Sequence, residues 1–130
     1  MSNIYEHRDK VRDYECDLQG IVNNANYQHY LEHARHEFLL ANEVSFSEMH
    51  ERGIDPVVAR IAMDFKVPLR SRDEYITTVR VEKEGIRFVF RQEILRASDR
   101  RLCVRARVDC VFLIGGRLSD CEEMNQRFGL

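Results

Sequence analysis

Residues 14–27 read Tyr-Glu-Cys-Asp-Leu-Gln-Gly-Ile-Val-Asn-Asn-Ala-Asn-Tyr, which sets a carboxylate, Asp17, ahead of a glycine, three asparagines and a helical pattern. Gly20 permits a tight backbone path with positive φ. Asn23 or Asn24 can act as the N-cap of the helix that follows, its side-chain oxygen taking a free N–H. The remaining first-turn N–H groups then point outward with the positive end of the helix dipole behind them. Donors of that kind suit a carbonyl oxygen that is becoming an oxyanion. Asp17, a few residues upstream, can face the carbonyl carbon as nucleophile or as general base. The same residue types also make a plain capped helix after an acidic turn, so spacing alone leaves both readings open.

The stretch from Val11 to Phe38, with Glu15-Cys16-Asp17, Gly20-Ile21-Val22 and Asn26-Tyr27, resembles the 4-hydroxybenzoyl-CoA thioesterase branch of the hotdog-fold family. That family pattern is a D-x-D or E-x-D step, a glycine followed by two hydrophobic residues, then N-Y and a helix. Met63-Asp64-Phe65-Lys66-Val67-Pro68-Leu69 and Asp73-Glu74 resemble the family's second-strand and turn region, so the resemblance runs over essentially the whole chain. It implies an α+β hotdog fold, one long helix wrapped by a curled antiparallel sheet of five or six strands. It implies hydrolysis of an acyl-CoA thioester, with coenzyme A as part of the substrate and neither cofactor nor metal. It places catalysis on Asp17 and on the backbone N–H of Asn24, and substrate contacts at Gly20, Val22 and Tyr27. It also implies a homodimer or a dimer of dimers, with the substrate tunnel at the subunit interface. Relatives in the bacterial acyl-CoA hydrolase subgroup often carry histidine where this chain has Asn24, so no histidine role carries over. The alternative is a non-catalytic module that binds acyl thioesters or other small ligands on the same fold.

Other residues invite chemistry and are weighed against plainer roles. His29-Tyr30-Leu31-Glu32-His33 matches the H-x-x-E-H pattern of a zinc peptidase. Its histidines lie roughly opposite the apolar stripe of the helix and lack a third ligand, so a polar exposed or subunit-contact face is the better account. Cys16 has no evident histidine to activate it and reads as an inert thiol. Asp13, Glu15 and Asp17 alternate, a spacing at which like charges raise a carboxylate pKa; a solvated strand end accounts better for Asp13. Arg70 and Arg72 flank Ser71 in a basic turn suited to CoA phosphates, or to solvent. Arg87, Arg100 and Arg101 are open to the same two readings.

These residues must be positioned by regular elements, and the pattern supplies them. A strand is expected from about residue 4 to residue 14. In the next helix Tyr27, Leu31, Ala34, Phe38 and Ala41 form one apolar stripe, with Gln28, Glu32, Arg35 and His36 in other directions. Asn42 is expected to end it in a left-handed conformation. A short helix follows, capped by Ser47 and stopped at Gly53. From Pro56 the period becomes two: Ala59, Ile61, Met63, Phe65, Val67 and Leu69 share a face, with Pro68 near a strand end or edge. Strands are expected over 75–83 and from Ile86 through Ile94. The strongest has Leu102, Val104, Ala106, Val108, Cys110, Phe112 and Ile114 on one face, with Arg105, Arg107 and Asp109 on the other. Gly115-Gly116 marks a hairpin turn, after which Arg117 to about Glu123 is expected to return as an edge strand.

The 130 residues suit a single domain with a real core. A formal net charge of −2 with 32% charged residues gives no basic field for nucleic acid. No apolar run is long enough to span a membrane. The four cysteines, Cys16, Cys103, Cys110 and Cys121, lack metal-ligand spacing. With no export signal apparent, the expectation is reduced thiols in the cytoplasm.

Overall fold

The computed structural model describes residues 4–130. Strand β1 (Tyr5–Lys10) leads through a 3-10 turn (Asp13–Glu15) to the long helix α1 (Asn24–Ala41) and the short helix α2 (Phe46–Glu51). Four long strands follow: β2 (Ile54–Phe65), β3 (Glu74–Glu84), β4 (Arg87–Arg96) and β5 (Leu102–Ile114). The three-residue β6 (Arg117–Ser119) and a last helix, α3 (Glu122–Phe128), complete the chain. The sheet order is β1-β3-β4-β5-β2, every pairing is antiparallel, and β6 extends the sheet beside the end of β5. This is the α+β arrangement of a helix against an antiparallel sheet that the sequence implies.

One face of the sheet packs on α1 in two apolar clusters. Tyr27, Tyr30 and Leu31 meet Val11, Val22, Leu69, Tyr75, Ile94 and Val104. Ala34, Phe38 and Leu39 meet Val79, Phe88, Phe90, Val108 and Phe112. Between them Arg35, buried on α1, donates from Nη1 to Gln92 Oε1 at 3.0 Å, while Gln92 Nε2 donates to the Leu31 carbonyl at 3.1 Å. Arg35 therefore lies in the helix–sheet seam rather than on the outward face expected for it. Ala41, expected in the stripe, is exposed.

Several boundaries differ from expectation for physical reasons. β1 stops at Lys10 because Val11 turns into the core, exchanging backbone hydrogen bonds with Asp73 and Arg72. The following residues wind into the 3-10 turn, so Asp13, Glu15 and Asp17 do not alternate along a strand. The left-handed residue after α1 is Glu43 (φ 63°), not Asn42. The cap of α2 is Ser45, which accepts from Glu48 N–H, not Ser47. In β2 the alternation breaks at a bulge between Val58 and Arg60, and Leu69 belongs to the turn beyond the strand. Gly115 and Gly116 do form the hairpin turn, at φ 59° and 80°. The returning edge strand, however, is only β6; the chain then coils into α3, whose Met124 is buried and whose Phe128 ring stacks on Phe38 at 5.5 Å. Gly129 closes that helix in the left-handed conformation.

The opposite sheet face is covered by its own charges. Asp109 on β5 is completely buried and accepts from Arg87 at 2.8 Å and Arg107 at 2.8 Å. Arg107 also reaches Glu84, and Arg91 pairs with Glu82. The hydrogen bonds from Arg107 and Arg87 hold the Asp109 carboxyl below the usual carboxylate range. A depressed carboxyl pKa stabilises the fold above the unfolded pKa, and that contribution is lost as pH falls through the folded pKa. Asp109→Asn should cost about 1–3 kcal/mol at neutral pH, since both arginines are partly solvated. The gap in melting temperature between wild type and variant should narrow below about pH 4, as thermal denaturation at pH 7 and pH 3 would show.

Candidate active site

The 14–24 stretch is a small hairpin tied on both sides. Asp17 N–H donates to the Ile21 carbonyl at 2.9 Å and Gly20 N–H to the Asp17 carbonyl at 3.0 Å. Cys16 and Val22 bridge across the base. Gly20 has φ 77°, with nothing within 4 Å of where a Cβ would stand, so backbone conformation and not crowding calls for glycine. The Asp17 carboxylate is exposed and accepts from Gln19 N–H at 2.8 Å.

Glu15 fastens this hairpin to α1. Its carbonyl accepts from Asn23 N–H at 3.0 Å and from Asn26 Nδ2 at 2.8 Å. Its carboxylate accepts from Tyr30 Oη at 2.7 Å and from Arg12 N–H at 2.8 Å. Burial first, then the Glu15 carboxylate, push the Tyr30 phenol far above its ordinary value, so it remains a donor. In the sequence Glu15 stands only as the first carboxylate of its step; nothing local signals an anchor whose partner, Tyr30, is fifteen residues away.

At the helix start Asn23 is the cap: Ala25 N–H donates to Asn23 Oδ1 at 2.9 Å and Asn26 N–H to the Asn23 carbonyl at 2.9 Å. Asn24 is the first helical residue, exposed, and its N–H meets no acceptor among the described residues. Asp17 and this free amide are thus carried on one hydrogen-bonded unit at the positive end of an 18-residue helix.

The remaining predicted contacts divide into two groups. Val22 and Tyr27 are core residues, at 1% and 3% exposure. Val22 N–H donates to the Leu69 carbonyl, and Tyr27 Oη accepts from Leu69 N–H at 2.9 Å. They position the loop against the 69–73 turn rather than offer a ligand surface. Arg70 and Arg72 are brought to the site: Arg70 bridges Ile21, and Ser71 Oγ donates to Asp13. Both arginines are exposed, and among the described residues neither pairs with a carboxylate. Burial and then the Asp13, Glu15 and Asp17 carboxylates push the Cys16 thiol up, which keeps it protonated and unreactive at neutral pH.

Among the described residues His29 joins no group of three potential metal ligands. The His33 ring instead meets the His7 ring edge-on at 4.8 Å, and His7, Asp9 and His33 bring possible ligand atoms within 4.8 Å of one another. Asp9 is at the same time held by Arg12, at 3.2 Å from each of its carboxylate oxygens.

The family pattern described as the thioesterase-like superfamily matches residues 11–126. The chain belongs to that superfamily. Over 114 residues it is 34% identical to a chloroplastic acyl-acyl carrier protein thioesterase of Arabidopsis thaliana, covering 87% of this chain and 60% of that protein. The chain therefore spans little more than half the length of this relative, and a second Arabidopsis thioesterase is covered to 56%. A putative esterase of Aquifex aeolicus is 37% identical over 84 residues, 65% of each chain. The crystal structure of a hypothetical protein from Aquifex aeolicus superposes with a TM-score of 0.88 at 25% identity, covering 95% of this chain and 98% of that one. A 1,4-dihydroxy-2-naphthoyl-CoA thioesterase from Synechocystis superposes equally well, at TM-score 0.88, over 98% and 96% of the two chains at 17% identity. These likenesses make the architecture a hotdog fold.

Within this superfamily member the cap and the free donor are adjacent asparagines, which can be told apart. Asn23→Ala should cost about 1 kcal/mol by removing the cap. Asn24→Ala, which removes no side-chain bond, should stay within about 0.5 kcal/mol of wild type. Urea denaturation of both variants provides the comparison.

Proposed function

We propose that this protein is an acyl-CoA thioester hydrolase, with Asp17 as nucleophile or general base and the Asn24 N–H as the donor to the developing oxyanion. The observation that carries this reading is the pairing, on one hairpin, of an exposed carboxylate with an unused amide at a helix N-terminus. Membership of the thioesterase-like superfamily supports the reaction type. An acyl thioester set with its carbonyl oxygen at Asn24 would meet Asp17 at its carbon, either directly or through a water molecule. Collapse of the tetrahedral species expels a thiolate, whose conjugate acid has a pKa near 8.5, so little proton donation is required; on the direct route water then hydrolyses the acyl–Asp17 anhydride to the free acid and restores the carboxylate.

The exposed Arg70–Arg72 turn lies beside the hairpin and suits the phosphates of coenzyme A. Gly20 leaves open space over the turn for the thioester to approach. In this reading coenzyme A is part of the substrate, and no separate cofactor or metal takes part. Four unpaired cysteines fit a reducing cytoplasm, and among the described residues no helix is long and apolar enough to cross a membrane.

The chemistry is tested with two variants against a panel of acyl-CoA thioesters, using thiol detection. Asp17→Asn keeps the shape and removes the charge; hydrolysis should fall at least about a hundredfold with the melting temperature little changed. Asn24→Pro deletes the donor itself. The first helical position is where proline is best tolerated, and Asn23 already holds an extended conformation, φ −64° and ψ 139°. That variant should therefore fold yet lose about 3–4 kcal/mol of transition-state stabilisation, while Asn24→Ala stays near the wild-type rate. Full activity in Asp17→Asn, or an Asn24→Ala variant as impaired as Asn24→Pro, refutes these assignments.

The site also carries apolar surface that a second copy would cover. Tyr14 and Leu18 on the hairpin are 84% and 108% exposed, and Val58 and Phe65 on the edge strand β2 are each 47% exposed. Among the described residues β2 pairs only with β5, which leaves its other edge open to extend the sheet. A homodimer or a dimer of dimers through this face would bury those side chains and wall the site. Sedimentation at micromolar protein should show no substantial monomer, whereas an active monomer would exclude an interfacial site.

A further inference from the structure

The second apolar cluster borders a half-open cavity of about 450 Å³ between the C-terminal half of α1, α2, α3 and the β2–β4–β5 sheet. Leu39, Met49, Phe88, Phe90, Phe112 and Met124 form an apolar part of its wall. None of the residues of the 14–24 hairpin lines it. Its size is that of a small-molecule pocket.

One wall residue does not belong to an apolar hole. Arg35 is 7% exposed, lines the cavity, and has Gln92 Oε1 as its one side-chain partner among the described residues. Gln92 is neutral and its amide is already committed to the Leu31 carbonyl. The Arg35 Nε and Nη2 groups find no acceptor, yet Thr77 Oγ1 is the one sealed and unsatisfied side-chain atom among the described residues. These nitrogens are therefore not sealed, and Arg35 lines the cavity. Glu32 and Asp55 also line the cavity; Glu32 acts on Arg35 through space, but neither forms an ion pair with it among the described residues, and each lies beside a histidine, His36 at 3.9 Å and His50 at 2.5 Å. A buried guanidinium without a counter-charge is costly unless it is paired and hydrogen-bonded, and its fork matches a carboxylate.

We propose that this cavity binds an apolar carboxylate, its hydrocarbon part against the phenylalanine and methionine wall and its carboxylate on the free edge of Arg35. Two molecules share this chemistry: a free carboxylic acid, and an acyl thioester whose chain ends in a second carboxylate. Both are natural to thioester hydrolysis, as product and as substrate, so the choice between them rests on the function proposed above; the binding site does not.

Binding is read by the methionine methyl resonances of 13C-methyl-labelled protein during titration with octanoate and, separately, 1-octanol. Octanoate should shift Met49 and Met124, which line the cavity, and leave Met63, which packs in the other cluster. Octanoate should bind at least tenfold more tightly than 1-octanol. Arg35→Met should bring the two within about twofold. Gln92→Glu, which hands Arg35 a carboxylate of its own, should weaken octanoate at least tenfold without weakening 1-octanol, and serves where Arg35→Met does not fold. Equal affinity for the two ligands in wild type, shifts confined to Met63, or a preference that survives both variants overturns the proposal. The Asp17→Asn variant should bind octanoate as wild type does, which separates failure of this site from failure of the hydrolytic reading. Hydrolysis of octanoyl-CoA against its ω-carboxylated analogue then assigns the source. A preference for the analogue that Arg35→Met abolishes marks a substrate tail; octanoate binding without such a preference marks a product site.

Discussion

The site depends on one residue that does no chemistry. Glu15 uses both its backbone carbonyl and its carboxylate to bind α1 and the residues around it, through Asn23, Asn26, Tyr30 and Arg12. Short exposed hairpins are held weakly by their own turn bonds, because each such bond is worth only about 1 kcal/mol net against water. Four bonds converging on one residue, with Tyr30 stacked on Tyr75 at 4.4 Å behind it, change that balance. The Asp17 turn is thereby referred to a helix docked in the core, rather than to solvent. A carboxylate and an oxyanion donor must keep their spacing to within about half an ångström to act together, and Glu15 links the elements that carry Asp17 and the Asn24 N–H, the groups proposed for those roles.

The hairpin was legible in the sequence because its chemistry is local. Gly20 announces its positive φ, and an asparagine before an apolar helical stripe announces a cap within a residue of its true place. The strands were legible for a similar reason: burial on one face imposes period two, and β5 displays it from Val104 to Phe112 except at Asp109, which is buried among its arginine partners on the other face. What was not legible depends on partners far away in the chain. Arg35 has a polar side chain at a core-facing helical position, and its reason for being there, Gln92, is 57 residues on. Glu15 looked like one more acid in an acidic run. Val22 and Tyr27 carry motif positions yet face inward, where both are hydrogen-bonded to Leu69 and support the hairpin from below. The helix α3 was hidden by the Gly115-Gly116 hairpin, after which continued strand was the natural expectation; Met124 and Phe128, one turn apart, were its signal.

The buried Arg35–Gln92 pair also divides the molecule. On one side lies the cluster that supports the hairpin, with Tyr27, Tyr30, Leu69 and Tyr75; on the other lies the cluster that borders the cavity, with Phe88, Phe90 and Phe112. Close packing makes the two halves respond separately to substitution, since a volume change is felt mainly by its neighbours. The half beneath the hairpin is rich in tyrosines whose hydroxyls hold backbone and carboxylate. The half around the cavity is made of phenylalanine, methionine and aliphatic side chains, which ask for no polar partner and leave room for an apolar guest.

The placement of Asn24 bears on how little machinery thioester cleavage demands. An amide or an alkyl ester leaves through a poor leaving group and needs a proton delivered to it, which is where a histidine is valuable. A thioester leaves as a thiolate near its own pKa. What remains is attack and charge stabilisation, the two tasks that a carboxylate and a backbone N–H supply. A backbone donor at the first helical position needs no side-chain rotamer to be fixed, and its orientation follows from the Asn23 cap and the Glu15 tether. In the proposed mechanism asparagine can therefore occupy this position with its side chain in solvent, because the proposed donor belongs to the main chain.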